Sequence, residues 1–200
     1  MRVIGLDEIR RAITLPRAIA AMREAVVAQA TGECDTPMPM HLDLASAGGG
    51  EVHLKSSYRR GGRCVALKVA GSYAARPYGS IALISAATGE TVAFFDDGGY
   101  LTDLRTAAVA AMVARELGRS DVALGILGSG VQARLQAQLH AEVLPLERVH
   151  VWGRSPERAA ACAADIARLL PRARVAVARS PAEVAASATL IATVTASRAP

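Results

Sequence analysis

The sequence predicts an α/β protein in two parts. Residues 1–118 are expected to form an N-terminal α+β domain, and residues 119–200 a doubly wound parallel sheet. Two observations predict this class. Apolar residues alternate with period two over residues 37–97, as in half-buried strands. From residue 121 onward, strand patterns alternate with helix patterns, which is typical of parallel strands joined by crossover helices.

The first helix is predicted over residues 6–31. Thr14 is the expected cap, and Gly32 is the expected stop. A proline in the first turn costs little there, because its missing N–H has no partner in a helix start. Apolar residues recur at spacings of three and four, at Leu15, Ile19, Met22 and Val26.

Strands follow in the middle of the chain. The stretches EVHLKSS and RCVALKVAG read as strands, and residues 80–99 read as a hairpin that turns at Thr88 and Gly89. The SAGGGE stretch at residues 46–51 is expected to be a flexible hairpin loop. A phosphate-binding loop is the less favoured alternative, because no helix follows it.

A second helix is predicted over residues 101–118, with Thr102 as its cap, Asp103 at its positive end and Gly118 after its last turn. The remaining elements alternate. Strands are expected near residues 122–127, 149–152, 174–178 and 189–194, and helices near residues 131–143, 156–170 and 181–187.

Composition excludes several classes of function. The net charge is +5, but the arginines are dispersed and aromatic residues are 4%, so no nucleic-acid partner is expected. No apolar run is long enough to span a membrane, so no membrane partner is expected either. The three cysteines are scattered, without a CxxC pair. We therefore expect no disulfide framework and no metal site, and a cytoplasmic location.

The stretch GSGVQA after the strand near residue 127 matches the dinucleotide fingerprint G-x-G-x-x-A at Gly128, Gly130 and Ala133. Gly128 would permit the tight turn, Gly130 the close approach of a pyrophosphate, and Ala133 the packing of helix on strand. This context predicts a Rossmann-like nucleotide site. The alternative is a tight turn without a ligand.

The end of the next strand indicates which dinucleotide is preferred. An NAD site usually has an acidic residue there to hold the ribose 2′-hydroxyl. This chain has Gly153, Arg154 and Ser155 instead, so NADP is favoured and NAD remains possible. The alternative is that Arg154 is a surface charge paired with Glu157.

Lysine is rare in this chain, since 21 of the 23 basic residues are Arg and only Lys55 and Lys68 are Lys. Lys68 lies in an apolar strand, where burial lowers the pKa of an ammonium group into the range of a proton donor or acceptor. The alternative is that both are surface residues left by chance. Arg105 is expected in the first helical turn. There it would pair with a substrate carboxylate or with a nearby aspartate: Asp96, Asp97 or Asp103.

The segments ALKVAGSY, SAATGE, GGYLTDLRTAAVAA, LGILGSGVQARLQ and VHVWGR, in this order, resemble the ornithine cyclodeaminase/mu-crystallin family. The resemblance implies a homodimer. Each chain would have an N-terminal α+β substrate-binding and dimerisation domain, followed by a Rossmann domain that binds NAD(P). The family includes cyclodeaminases, ketimine and pyrroline-2-carboxylate reductases and alanine dehydrogenases.

The resemblance also implies roles for residues. Lys68 matches the family's active-site lysine, and Arg105 matches an arginine near the substrate carboxylate and the nicotinamide. Pyrophosphate contacts and strand-end threonines near the adenosine are matched by Gly130, Val131, Gln132, Thr193 and Thr195. With Gly128, Ser129, Arg154 and Ser155, these complete the predicted cofactor site.

The chain departs from the family pattern at three places. The stretch TPMPMHLDL lacks an arginine near residue 39, so His41 or Lys55 is the expected replacement in the substrate site. The connection SYAARPYGS is shorter than usual. Only four strands of the parallel sheet precede residue 200, whereas the family continues further, so an incomplete sheet is expected.

These expectations converge on an NAD(P)H-dependent oxidoreductase acting on the C=N or CH–N bond of a small imino or amino acid. Two alternatives stay open: a cyclodeaminase that releases ammonia, and a non-catalytic binder of a small amino-acid-like ligand.

Overall fold

A computed structural model describes residues 1–48, 50–73, 77–120 and 122–195. The chain divides into two compact units, Met1–Thr102 and the remainder from Asp103 onward. The functional domain boundary predicted after residue 118 remains a prediction. Among the described helices, none combines the length and the apolar character needed to cross a membrane.

The first unit is built on a sheet that is antiparallel except at one edge. Its described strands are β1 (Arg2–Gly5), β2 (Cys34–Asp35), β3 (Met40–Asp43), β4 (Gly50–Arg59), β5 (Cys64–Tyr73), β6 (Pro77–Ser85) and β7 (Thr91–Asp96). Their order is β1-β7-β6-β5-β4-β2, and β3 also pairs with β4. The predicted strands and the β6–β7 hairpin are confirmed. The short strands β1 and β2 were not predicted, because two to four residues show no readable period.

The predicted helix over residues 6–31 is wrong as a single element. The structure has α1 (Leu6–Ala12) and α2 (Leu15–Ala30), separated by the extended residues Ile13 and Thr14. The helix breaks there because Pro16 has no N–H to donate back to Ala12. Thr14 stands at the N-cap of α2, but its side chain makes no capping hydrogen bond.

Helix α3 (Tyr100–Glu116) begins before the predicted residue 101. Thr102 is therefore inside the first turn and is not the cap. That role belongs to Asp97, which is 2% exposed and accepts a hydrogen bond from the Leu101 N–H at 2.6 Å. Arg105 lies in the second turn of α3, not in the first as predicted.

The second unit is the predicted parallel sheet. Its described strands, β8 (Ala123–Leu127), β9 (Arg148–Trp152), β10 (Arg174–Val177) and β11 (Leu190–Thr193), lie in the order β10-β9-β8-β11. Helices α4 (Val131–Ala141), α5 (Pro156–Leu169) and α6 (Pro181–Ser187) connect them. The strand order reverses between β8 and β11, which is the switch point where such sheets bind ligands.

The core of this second unit is mostly aliphatic. Its fully buried members come from the two central strands and the helices against them, and include Leu124, Ile126, Val149, Val151 and Ile166. Helix α5 begins as predicted, with the Ser155 hydroxyl accepting a hydrogen bond from the Arg158 N–H. The core thereby fixes the ends of β8 and β9, where the candidate site lies.

Candidate functional site

The glycine-rich loop connects β8 to α4 at the switch point of the parallel sheet. Gly128 has φ +130°, and a Cβ added there would lie 2.6 Å from the Val194 carbonyl oxygen. Its N–H donates to the Trp152 carbonyl at 2.7 Å. Both the backbone conformation and the close approach of the chain after β11 require glycine at this position.

Gly130 differs from Gly128. It is the N-cap of α4 with φ −84°, a conformation open to any residue, and a Cβ added there would meet no atom within 4 Å. The first N–H groups of α4 follow it and have no partner within the helix. An open space at a helix N-terminus with free N–H groups suits a phosphate.

A cavity of about 350 Å³ lies beside this loop. Its lining is formed by the loop, the first turns of α4 and the start of α5: Ser129, Gly130, Val131, Arg134, Arg158 and Ala161. The cavity brings together three of the predicted cofactor residues, Ser129, Gly130 and Val131, with two arginines that sequence reasoning missed. Its positive lining is complementary to phosphate groups.

Arg134 binds the loop through hydrogen bonds to its carbonyl oxygens. Its Nη1 donates to the carbonyl oxygens of Ser129 at 3.0 Å and Gly130 at 3.1 Å, and its Nε donates to Asp165 Oδ2 at 2.7 Å. The Arg134 guanidinium lowers the pKa of the Asp165 carboxyl. Because Arg134 occupies these two carbonyl oxygens, the N–H groups after Gly130 are left for a ligand.

Gln132 was predicted to contact a pyrophosphate. Its side-chain Nε2 instead donates to the carbonyl oxygen and to Oδ1 of Asp103 in α3, both at 3.0 Å. The side chain therefore ties α4 to α3, and only the backbone N–H of Gln132 is left for a ligand. Two turns further along α4, His140 Nδ1 is 2.8 Å from the Gln136 carbonyl oxygen, and burial lowers the pKa of His140.

The end of β9 has the predicted residues next to the loop. A Cβ on Gly153 would lie 2.9 Å from Ser129 Oγ, so glycine lets β9 approach the loop closely. Among the described residues the alternative pairing of Arg154 with Glu157 does not form, and Glu157 instead accepts a hydrogen bond from Ser155 Oγ at 2.7 Å. This bond lowers the pKa of Glu157. Within the described part of the chain, Arg154 is exposed and forms no ion pair.

Thr193 ends β11, beside Leu127 of β8, and is exposed. Thr195 follows two residues later and is also exposed. Both threonines are thus at the carboxyl edge of the parallel sheet, the edge that carries the glycine-rich loop.

In the first unit, Lys55 and Lys68 are directly opposite each other on the antiparallel strands β4 and β5. Opposed residues share one face of a sheet, so the only two lysines of the sequence lie side by side. Lys68 is partly buried and its Nζ donates to Thr102 Oγ1 at 3.4 Å, whereas Lys55 is exposed. The interpretation of both as scattered surface residues is therefore wrong for Lys68.

Arg105 is exposed on α3. Among the described residues Arg105 forms no ion pair, and each of its three predicted aspartate partners accepts a hydrogen bond from another residue. Asp97 caps α3, Asp96 accepts a hydrogen bond from the Tyr78 hydroxyl, and Asp103 accepts from Gln132.

His41 lies beside Glu51 and His53 on the β3–β4 hairpin. Its Nε2 is 3.1 Å from Glu51 Oε2, and its partner in the strand register is His53. His41 and Lys55 are on the same sheet face as Lys68, and their place in a substrate site stays a prediction. No metal site was predicted from the sequence, because His41 lies ten residues before Glu51 and only the strand register brings it opposite His53.

Comparison with known proteins gives the family. The chain matches the ornithine cyclodeaminase/mu-crystallin family over residues 3–200. A Rhizobium meliloti protein named as a dehydrogenase is 35% identical over 172 residues, which cover 82% of this chain and 52% of that protein. A Δ1-pyrroline-2-carboxylate/Δ1-piperideine-2-carboxylate reductase of Azospirillum brasilense is 34% identical over 168 residues, covering 80% of this chain and 53% of that protein. The chain thus spans about half the length of these relatives.

Solved structures share the fold. The Thermococcus litoralis Δ1-pyrroline-2-carboxylate reductase, in complex with NADH and L-proline, aligns with a TM-score of 0.92 at 23% identity, over 99% of this chain and 63% of that one. A lysine cyclodeaminase aligns with a TM-score of 0.85 at 28% identity, over 98% of this chain and 61% of that one. The match over residues 3–200 places the chain in the ornithine cyclodeaminase/mu-crystallin family, as its motifs had indicated.

Proposed function

We propose that the protein is an NAD(P)H-dependent oxidoreductase acting on the C=N or CH–N bond of a small imino or amino acid. The observation that carries the proposal is the open position at Gly130, where free N–H groups of α4 meet an arginine-lined cavity. The names of the pyrroline-carboxylate reductases among its relatives and structural neighbours support the same chemistry.

The residues of the loop fit a dinucleotide. Gly128 is required by the fold, whereas Gly130 is not, so the absence of a side chain at Gly130 is best explained by a ligand that approaches there. The backbone N–H groups after Gly130 would hold the pyrophosphate. When bound, the nicotinamide supplies or accepts the hydride.

Lys68 is the group we propose to move the proton. Reduction of a C=N bond adds a hydride to the carbon and a proton to the nitrogen, so the reaction needs a donor beside the nitrogen. The Lys68 ammonium is partly buried and held by Thr102. In the reverse direction the neutral amine would accept that proton.

Arg105 is proposed to bind the substrate carboxylate, since its exposed guanidinium can donate two parallel hydrogen bonds. Lys55 and His41 are proposed as further polar contacts to the substrate. The test of the lysines is a matched pair of variants. Lys68→Met should abolish turnover and leave NADPH binding intact, and Lys55→Met should cost less. If both variants turn over at the parental rate, the assignment of Lys68 fails.

NADPH is the proposed cofactor, and NADH would bind more weakly. The end of β9 offers Arg154 and no carboxylate, and Arg158 in the first turn of α5 lines the cavity. Calorimetric titration should give tighter NADPH than NADH binding. Arg158→Ala should reduce that ratio, and Arg172→Ala, at an exposed position beyond the end of α5, should leave it unchanged. Equal affinities for the two cofactors in the parent would contradict the preference.

A cyclodeaminase is the second candidate, favoured by the 28% identity and common fold with a lysine cyclodeaminase. The two are distinguished by products. NADPH oxidation in the presence of cyclic or linear imino acids supports the reductase, and ammonia release without net redox change supports the cyclodeaminase. Binding of an amino-acid-like ligand with neither product would support a binding protein.

A homodimer is the proposed assembly. Three large apolar side chains close together in sequence are exposed: Met38 at 91%, Met40 at 58% and Leu42 at 47%. Apolar residues clustered in this way typically contact a partner chain. Light scattering should give twice the monomer mass, and Met40→Glu should shift the protein toward monomer.

A further inference from the structure

Three metal-ligating side chains converge on one face of the β3–β4 hairpin. His41 Nε2 is 3.1 Å from Glu51 Oε2, and His53 Nε2 is 3.6 Å from Glu51 Oε1. The two imidazole rings are stacked, with centroids 4.8 Å apart and planes inclined by 26°. One ligand atom from each of the three side chains lies within 4.8 Å of the other two.

The backbone holds these side chains together. His41 and His53 are directly opposite in the antiparallel register, and Glu51 precedes His53 by two residues, so all three project from the same face. Strand β4 is paired with β5 on its other side from Gly50 to Tyr58, which fixes the positions of Glu51 and His53. The convergence therefore depends on strand register rather than on a flexible loop.

The donor set selects the kind of ion. Two imidazole nitrogens and one carboxylate oxygen suit Zn²⁺, Cu²⁺, Ni²⁺ or Co²⁺, whereas Mg²⁺ and Ca²⁺ prefer oxygen ligands alone. The side chains are 50%, 37% and 53% exposed for His41, His53 and Glu51, so water can complete the coordination. Zinc is also bound in catalytic sites by three protein ligands, with water or substrate in the fourth position.

The surroundings add one favourable and one unfavourable charge. Asp43 is opposite Glu51 in the register, so a second carboxylate lies on the same face. Lys55 follows His53 by two residues on that face and repels a cation. The competing explanation is that hydrogen bonds alone hold the three side chains together without a metal, because Glu51 already accepts a hydrogen bond from His41.

We propose that His41, Glu51 and His53 form a binding site for one divalent first-row transition-metal ion, and that this ion is Zn²⁺. The site is open to solvent and links β3 to β4. It shares His41 with the substrate contacts proposed above, but metal binding can be measured without substrate or cofactor.

The test uses the tag-free chain, from which bound metal is first removed with a chelator. The chain is titrated with Zn²⁺ in a calorimeter, and a second sample is titrated with Co²⁺ while its absorption spectrum is recorded. We expect one ion per chain. Loss of a ligand in His53→Gln or Glu51→Gln should weaken binding at least as much as loss of an outer-shell partner does, about 10- to 100-fold. Because the Glu51 side chain is exposed and that of His53 is partly exposed, both variants should melt as the metal-free parent does.

The cysteines provide the matched control. Cys34 and Cys64 are free and partly exposed, and they are the competing soft ligands among the described residues. The variant Cys34→Ser/Cys64→Ser should bind Zn²⁺ as the parent does, and the Co²⁺ complex should show no thiolate charge-transfer band. Parental affinity in both His53→Gln and Glu51→Gln would overturn the proposal. So would a thiolate band, or an absence of binding at millimolar Zn²⁺.

Discussion

Gly130→Ala separates nucleotide binding from folding at the glycine-rich loop. The backbone of Gly130, at φ −84° and ψ −164°, is accessible to alanine, and the added Cβ would meet nothing within 4 Å. Alanine is a poorer N-cap than glycine by about 0.5 kcal/mol. Its smaller freedom in the unfolded chain offsets this by about 0.4–1 kcal/mol. The free energy of unfolding should therefore hardly change.

The same Cβ should weaken nucleotide binding. It would project into the space beside the first N–H groups of α4, where we place the pyrophosphate. Displacing the phosphate from one charge-assisted hydrogen bond costs about 1.5–3 kcal/mol, which is roughly a 10- to 150-fold loss of affinity. The assay is calorimetric titration of NADPH into Gly130→Ala, combined with a melting curve of the same sample.

Gly128→Ala is the matched control, two residues earlier in the same loop. Its Cβ would lie 2.6 Å from the Val194 carbonyl oxygen, on a backbone at φ +130°. The strained backbone costs about 1–3 kcal/mol, and the overpacking adds about 1–3 kcal/mol. For a chain of this size, the lower end of that sum lowers the melting temperature by about 4–8 °C. If Gly130→Ala binds NADPH as the parent does, or melts as low as Gly128→Ala, the assignment of the loop is wrong.

Three further predictions concern Arg134 beside the loop, His140 in α4 and Asp97 at the start of α3. Arg134→Met removes the donors to the Ser129 and Gly130 carbonyls and should weaken NADPH binding, whereas Arg172→Met should not; equal affinities would contradict the support. Burial lowers the pKa of His140, so the unfolded chain takes up its proton at a higher pH than the folded chain. The melting temperature should thus fall as the pH drops below about 6.5, and His140→Gln should flatten that fall in a pH series of melting curves. Asp97→Ala removes the cap of α3 and should cost about 1–2 kcal/mol in denaturant titration, and an unchanged midpoint would refute its role.

The elements with a long, regular hydrophobic period were predictable from the sequence. Strands β4 to β7 and the alternating elements after β8 were found because burial on one face imposes a period that the residues show directly. The break between α1 and α2 was not found. The apolar spacing continues across Ile13 and Thr14 and so hides the break. Pro16 was correctly expected in a first helical turn, but that turn begins a second helix, α2.

The candidate site was predictable where a residue type is itself the signal. Gly128 and Gly130 were identified by motif, and Lys68 by its rarity and its apolar strand. Arg134 and Arg158 were missed because nothing in their local sequence distinguishes them from the other nineteen arginines. Their roles depend on contacts with loop carbonyls and on the cavity beside α5, which only the folded chain brings near.

The glycine-rich loop between β8 and α4 is already held in one conformation before a nucleotide binds. Its carbonyl oxygens at Ser129 and Gly130 are already engaged by Arg134, and the Gly128 N–H is engaged by Trp152. Gln132 fixes the first turn of α4 to Asp103, and Asp165 fixes Arg134 in turn. Each support satisfies a polar group that could otherwise compete with a phosphate, and none occupies the N–H groups that follow Gly130. A preformed donor set loses little conformational entropy when an anion arrives, so more of the hydrogen-bond energy is available as affinity. Arg134 and Gln132 thus serve the same end as the glycines of the motif, because they keep the N–H groups after Gly130 available to a phosphate.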